Sequence, residues 1–90
     1  MVKKRTRLEV IKDLLMVLRN DRKVKITHLI YKSNLSSGSI KLYIDELMKN
    51  GLIEEVNDSG KKCYQITTKG NKFLEDFRKI MVFSESYGLE

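Results

Sequence analysis

The sequence predicts a small α+β domain of three helices, a two-stranded hairpin and a closing helix. Three observations carry this expectation. Apolar residues recur at helical spacing in separate segments along the chain. Two short β-rich runs, near 52–56 and 62–66, flank the turn-forming stretch Asn57-Asp58-Ser59-Gly60. The breaks fall at glycine or at Asn, Asp and Ser, because the chain has no proline.

Each element has a local cause. Thr6 followed by Glu9 makes a capping box, in which each side chain satisfies the other residue's free N–H. A first helix then runs to about Arg19, with Leu8, Ile11, Leu15 and Leu18 on one face and Leu14 alongside. Lys23-Val24-Lys25-Ile26 alternates polar and apolar and predicts a short edge strand. Thr27 is the expected cap of a two-turn second helix ending at Ser33. Asn34-Leu35 forms the turn, since Asn tolerates a left-handed backbone. Ser36 or Ser37 caps a third helix reaching about Asn50, with Ile40, Tyr43, Ile44, Leu47 and Met48 inward and Gly51 as its stop. The hairpin follows. Thr67 caps a fourth helix, expected from Thr68 to Phe83, with Phe73, Leu74, Phe77, Ile80 and Met81 as its apolar stripe.

Ninety residues make one small domain with a marginal core, which a partner subunit would strengthen. The net charge of +6 is uneven: residues 1–25 hold nine Lys/Arg against three acids, and the remainder is balanced. Such an excess favours polyanions, nucleic acid before anionic membrane. No run of about 18 apolar residues suggests a membrane span, and no secretory signal is read at the N-terminus. A lone cysteine, Cys63, fits a reducing compartment, so a cytoplasmic location is expected.

The element order is that of a winged helix-turn-helix with a two- or three-stranded β-wing. The expected organisation is a basic arm at 1–5, the winged domain at 6–67, and a C-terminal helix at 68–90. The chain resembles the small archaeal winged-helix DNA-binding proteins. The resemblance rests on LEVIKDLL in the first helix, IYKSNLS at the turn, YIDELMKNGLI into the first strand, and YQITTKGNKFLEDFRK at the end. It covers roughly residues 8–79. It implies double-stranded DNA as partner and a homodimer formed by antiparallel pairing of the C-terminal helix.

Candidate contacts follow from the residues. Recognition helices reach bases with their first turns, which here offer Ser36, Ser37, Ser39 and Lys41. Asp45 and Glu46 lie further along and confine base contact to the first two turns. Lys32 ends the second helix, and Lys61 and Lys62 follow the hairpin turn, where they can meet phosphates. Lys3, Lys4, Arg5 and Arg7 supply further positive charge. The last helix carries more apolar residues than one face needs, so Phe73, Phe77, Ile80, Met81, Phe83 and Tyr87 are the candidate dimer interface.

Catalysis has little support. His28 has no second histidine or nearby cysteine with which to hold a metal. Cys63 has no base beside it in sequence, and the five glycines form no phosphate loop. No enzyme activity, cofactor or small-molecule ligand is expected. Transcriptional regulation is the expected role. A DNA-organising protein of the chromatin type and a protein–protein adaptor are the alternatives.

Overall fold

The opening capping box forms. In the computed structural model, which describes residues 6–88, the Glu9 N–H donates to the Thr6 hydroxyl (3.2 Å) and the Thr6 N–H to the Glu9 carboxylate (3.4 Å). Helix α1 (Arg7–Asp21) follows and buries Val10, Ile11, Leu14, Leu15 and Leu18. Leu8, expected on that face, is 56% exposed. It occupies the first turn, and burial of α1 begins only at Val10. The expected basic arm, with Lys3, Lys4 and Arg5, lies outside the described residues.

The expected edge strand at 23–26 contracts to a single bridge. Val24 donates to the Tyr64 carbonyl (2.9 Å) and accepts from the Tyr64 N–H (2.8 Å). This exchange makes Lys25 the last extended residue, and α2 (Ile26–Ser33) starts directly after it. Thr27 therefore lies inside the first turn rather than capping it. Lys25 holds the N-cap position without a side-chain hydrogen bond. Asn34 adopts the left-handed conformation the turn needs (φ 59°, ψ 32°). Ser36 then caps α3 (Ser37–Lys49).

Strands β1 (Ile53–Asp58) and β2 (Lys61–Ile66) pair antiparallel, from Ile53 opposite Ile66 to Asp58 opposite Lys61. The turn is tighter than the sequence suggests, because Asn57 and Asp58 belong to β1. Only Ser59 (φ 54°) and Gly60 (φ 81°) remain unpaired. Positive φ at both positions gives a type I′ turn, whose twist matches that of the strands. The Asn57 side-chain oxygen accepts from the Gly60 N–H (2.9 Å) and closes it. Helix α4 (Thr68–Ser86) continues the apolar stripe expected to about Phe83 by one turn, into the expected C-terminal helical segment.

A single core joins these elements. Leu14, Leu15 and Leu18 meet Leu29 of α2, Ile40, Ile44 and Leu47 of α3, Ile53, Tyr64 and Leu74. Burying each large aliphatic contributes roughly 1.5–3 kcal/mol. The three on the back of α3 therefore fix that helix in rotation, and its opposite row faces outward. The result is a winged helix-turn-helix with a two-stranded wing.

Candidate nucleic-acid interface

Helix α3 is held at three places. Its back is buried through Ile40, Ile44 and Leu47. At its start, the Ser36 hydroxyl accepts from the Ser39 N–H (3.2 Å) and donates to the Ser39 hydroxyl (3.0 Å). At its end the chain turns at Gly51 (φ 73°), a left-handed position that glycine occupies without steric cost. There the start of α4 closes over it. The Thr67 hydroxyl donates to the Gly51 carbonyl (2.6 Å) and accepts from the Gly70 N–H (3.1 Å). Lys69 Nζ donates to the Asn50 carbonyl (2.7 Å), and the Thr67 N–H to the Leu52 carbonyl (3.1 Å).

That clasp depends on Gly70. A Cβ at this position would stand 2.3 Å from the Leu52 carbonyl oxygen and 2.6 Å from Ile66 Cγ1. Only a residue without a side chain lets α4 come this close to the turn after α3. The sequence contained the signal, a Thr-Thr-Lys-Gly cap, but the close approach needs the tertiary arrangement.

The outward row of α3 comprises Ser37, Gly38, Lys41, Leu42, Asp45 and Lys49, all exposed. Ser37 and Lys41 thus stand together on the open surface. Ser36 and Ser39 are engaged in the cap, and Ser39 is half-buried. Lys32 is exposed in the last turn of α2. Arg7 begins α1, and its guanidinium pairs with the Glu46 carboxylate on α3. The exposed ion pair joins α1 to α3, a cross-helix pairing that no sequence spacing announced.

The wing carries Lys61 and Lys62 beside the tip, both exposed. Lys62 Nζ lies 3.3 Å from the Glu55 carboxylate. That hydrogen bond, with a smaller contribution from Tyr64, raises the ammonium pKa above its ordinary value. Lys62 therefore stays charged across the physiological range. Lys23 and Lys25 are also exposed on either side of the Val24 bridge. Both belong to the basic excess of residues 1–25, and their alternation with Val24 puts them on the side opposite the buried valine.

The remaining reactive residues are occupied or buried. His28 Nε2 lies 2.9 Å from the Asp21 carboxylate, and Cys63 is buried in β2. Among the described residues, no group of three or more His, Cys, Asp or Glu is placed to hold a metal. None of the described helices is long and apolar enough to cross a membrane.

On α4 the two halves differ. Phe73 packs against the domain's own core, and Phe77 is half-buried with its ring 6.1 Å from that of Phe73. These two interface candidates therefore serve the single chain at least in part. Ile80 (63%), Phe83 (64%) and Tyr87 (68%) are exposed, as are Met81 and Val82.

Known proteins share this architecture. An uncharacterized protein of Methanocaldococcus jannaschii is 34% identical over 68% of this chain and 68% of its own. The crystal structure of Sso10a-2, a DNA-binding protein from Sulfolobus solfataricus, is similar at a TM-score of 0.77 and 25% identity, covering 92% of this chain and 85% of that one. The transcriptional regulator BldR, also from Sulfolobus solfataricus, shares the fold at a TM-score of 0.73 and 18% identity, over 88% of this chain and 60% of its own. The family model for the winged helix-turn-helix matches residues 4–84, and with the helices, wing and clasp described above the chain belongs to the winged helix-turn-helix family.

Proposed function

We propose that the protein binds double-stranded DNA as a homodimer and acts as a transcriptional regulator. Helix α3 enters the major groove by its first two turns, with Ser37 and Lys41 toward the bases. Lys32, Lys61 and Lys62 meet phosphates on either side, and the basic residues at the N-terminus add to the same field. The observation that carries this reading is the outward row of α3: mostly polar, cationic at Lys41 and Lys49 with Asp45 between them and Leu42 exposed beside Lys41, and projected from a helix fixed on its back and at both ends. A rigid helix presents its side chains to a groove without an ordering cost on binding. Likeness to Sso10a-2, whose description is DNA-binding, supports the partner.

The dimer reading rests on α4. A run of exposed Ile, Met, Val, Phe and Tyr at 80–87 is more apolar than a helix facing only water. Two copies paired there present two α3 helices, and half-sites about one helical turn apart follow from the two-fold.

Titration into random duplexes and genomic fragments at several salt concentrations tests the proposal. A tight subset of sequences that survives added salt is the expected result. Equal affinity for all sequences with a steep salt slope assigns the protein to DNA organisation instead. Absence of binding at low salt removes DNA as the partner and leaves docking to another protein.

A further inference from the structure

One residue on the outward row of α3 does not suit a surface meant only for water and phosphate. Leu42 is 72% exposed, while Gly38, Lys41, Asp45 and Lys49 around it are small or charged. Asp45 stands one turn beyond Lys41 and has no ion-pair partner among the described residues. Its carboxylate repels phosphates and so limits close approach to the two turns before it, which hold Lys41 and Leu42. Of the four bases, thymine alone offers an apolar group in the major groove, its C5-methyl.

We propose that Leu42 packs against the C5-methyl of a thymine on the major-groove floor and so sets sequence preference. The inference rests on the duplex-binding reading above. Lys41 beside it supplies the attraction that brings the helix into the groove, and Leu42 supplies the discrimination. Gly38 completes the arrangement. Helical side chains lean toward the N-terminus, so Leu42 leans over the turn that holds Gly38. A Cβ on Gly38 would meet nothing within 4 Å. Packing inside the domain therefore does not demand glycine there, and the missing side chain leaves one flank of Leu42 open to an approaching base edge.

Two duplexes that differ only in this methyl provide the test: alternating dA-dT and alternating dA-dU of equal length. The intact protein is expected to bind the dA-dT duplex about fourfold more tightly for each domain engaged, the effect of burying one methyl. Leu42→Ala trims a largely exposed side chain; its fold is checked by circular dichroism, and it is expected to bind the two duplexes equally. Equal affinity of the unaltered protein for both duplexes overturns the proposal. So does a preference retained by Leu42→Ala, which assigns discrimination to duplex shape. Both results leave DNA binding standing. No binding to either duplex at low salt removes the duplex reading, and this inference falls with it.

Discussion

Helices α3 and α4 carry similar amphipathic patterns but differ in how far one chain satisfies them. In α3 the apolar positions Ile40, Ile44 and Leu47 are all buried, and the outward row is polar except for Leu42. In α4 only Gly70 and Leu74 are buried, both in its first half, and the second half exposes Ile80, Met81, Val82 and Phe83, with Tyr87 exposed just past its end. A helix whose apolar face is complete has a surface suited to a polar, charged partner. One whose apolar face is left open is suited to another apolar surface. On this contrast rests the proposal that α3 faces DNA and α4 a second subunit.

The largest expected effect tests the open half of α4. Ile80→Glu with Phe83→Glu places two unpaired charges in the proposed interface, where burial without a partner costs several kcal/mol. Sedimentation should show a dissociation constant raised at least about 100-fold, with the circular dichroism of the winged domain retained. A dimer unaffected by both charges would remove α4 as the interface.

Next in size is the joint between the two helices. Gly70→Ala forces a Cβ against the Leu52 carbonyl and Ile66. Overpacking of this kind costs about 1–3 kcal/mol, and the thermal midpoint should fall accordingly. An unchanged midpoint would mean that α4 does not clasp the end of α3.

Smaller effects belong to the outward row and the wing. Lys41→Ala should weaken binding and relax sequence preference if the ammonium reads a base; a uniform loss on all duplexes would make it a phosphate contact. Lys62→Ala should lower the salt slope by about one phosphate while leaving the thermal midpoint at pH 7 unchanged, since the pair with Glu55 is exposed and such pairs contribute little. The sign of its pH dependence follows from its raised pKa. Any stability from the Glu55 pair is present below the ordinary lysine pKa and is lost as pH rises through the higher folded value. A wing contact should therefore hold constant from pH 6 to 9.

Much of this fold was legible because local rules decided it. The Thr6–Glu9 box, Asn34 at the turn, Gly51 after α3 and Thr67 before α4 all act through groups within a few residues, and each forms as expected. What the sequence did not disclose depends on distant partners. The start of α2 is set by Val24 meeting Tyr64, forty residues away, which overrode Thr27 as cap. Leu8 fits the helical period, yet among the described residues it stays 56% exposed, and burial of α1 starts at Val10. The Arg7–Glu46 pair and the approach at Gly70 join elements whose spacing carries no period. The candidate site divides in the same way. Lys41 and Ser37 follow from helical geometry alone, whereas the choice of Ser36 over Ser37 as the cap, and the engagement of Ser39 with it, emerges only with the hydroxyls placed.

The most direct measurement is amide chemical-shift mapping of the full chain on addition of a short duplex. The largest changes are expected at Ser37, Gly38, Lys41 and Leu42, with a second group at Lys61 and Lys62. Changes confined to Ile80–Tyr87, with α3 and the wing unmoved, would contradict the claim that the outward row of α3 is what grips DNA.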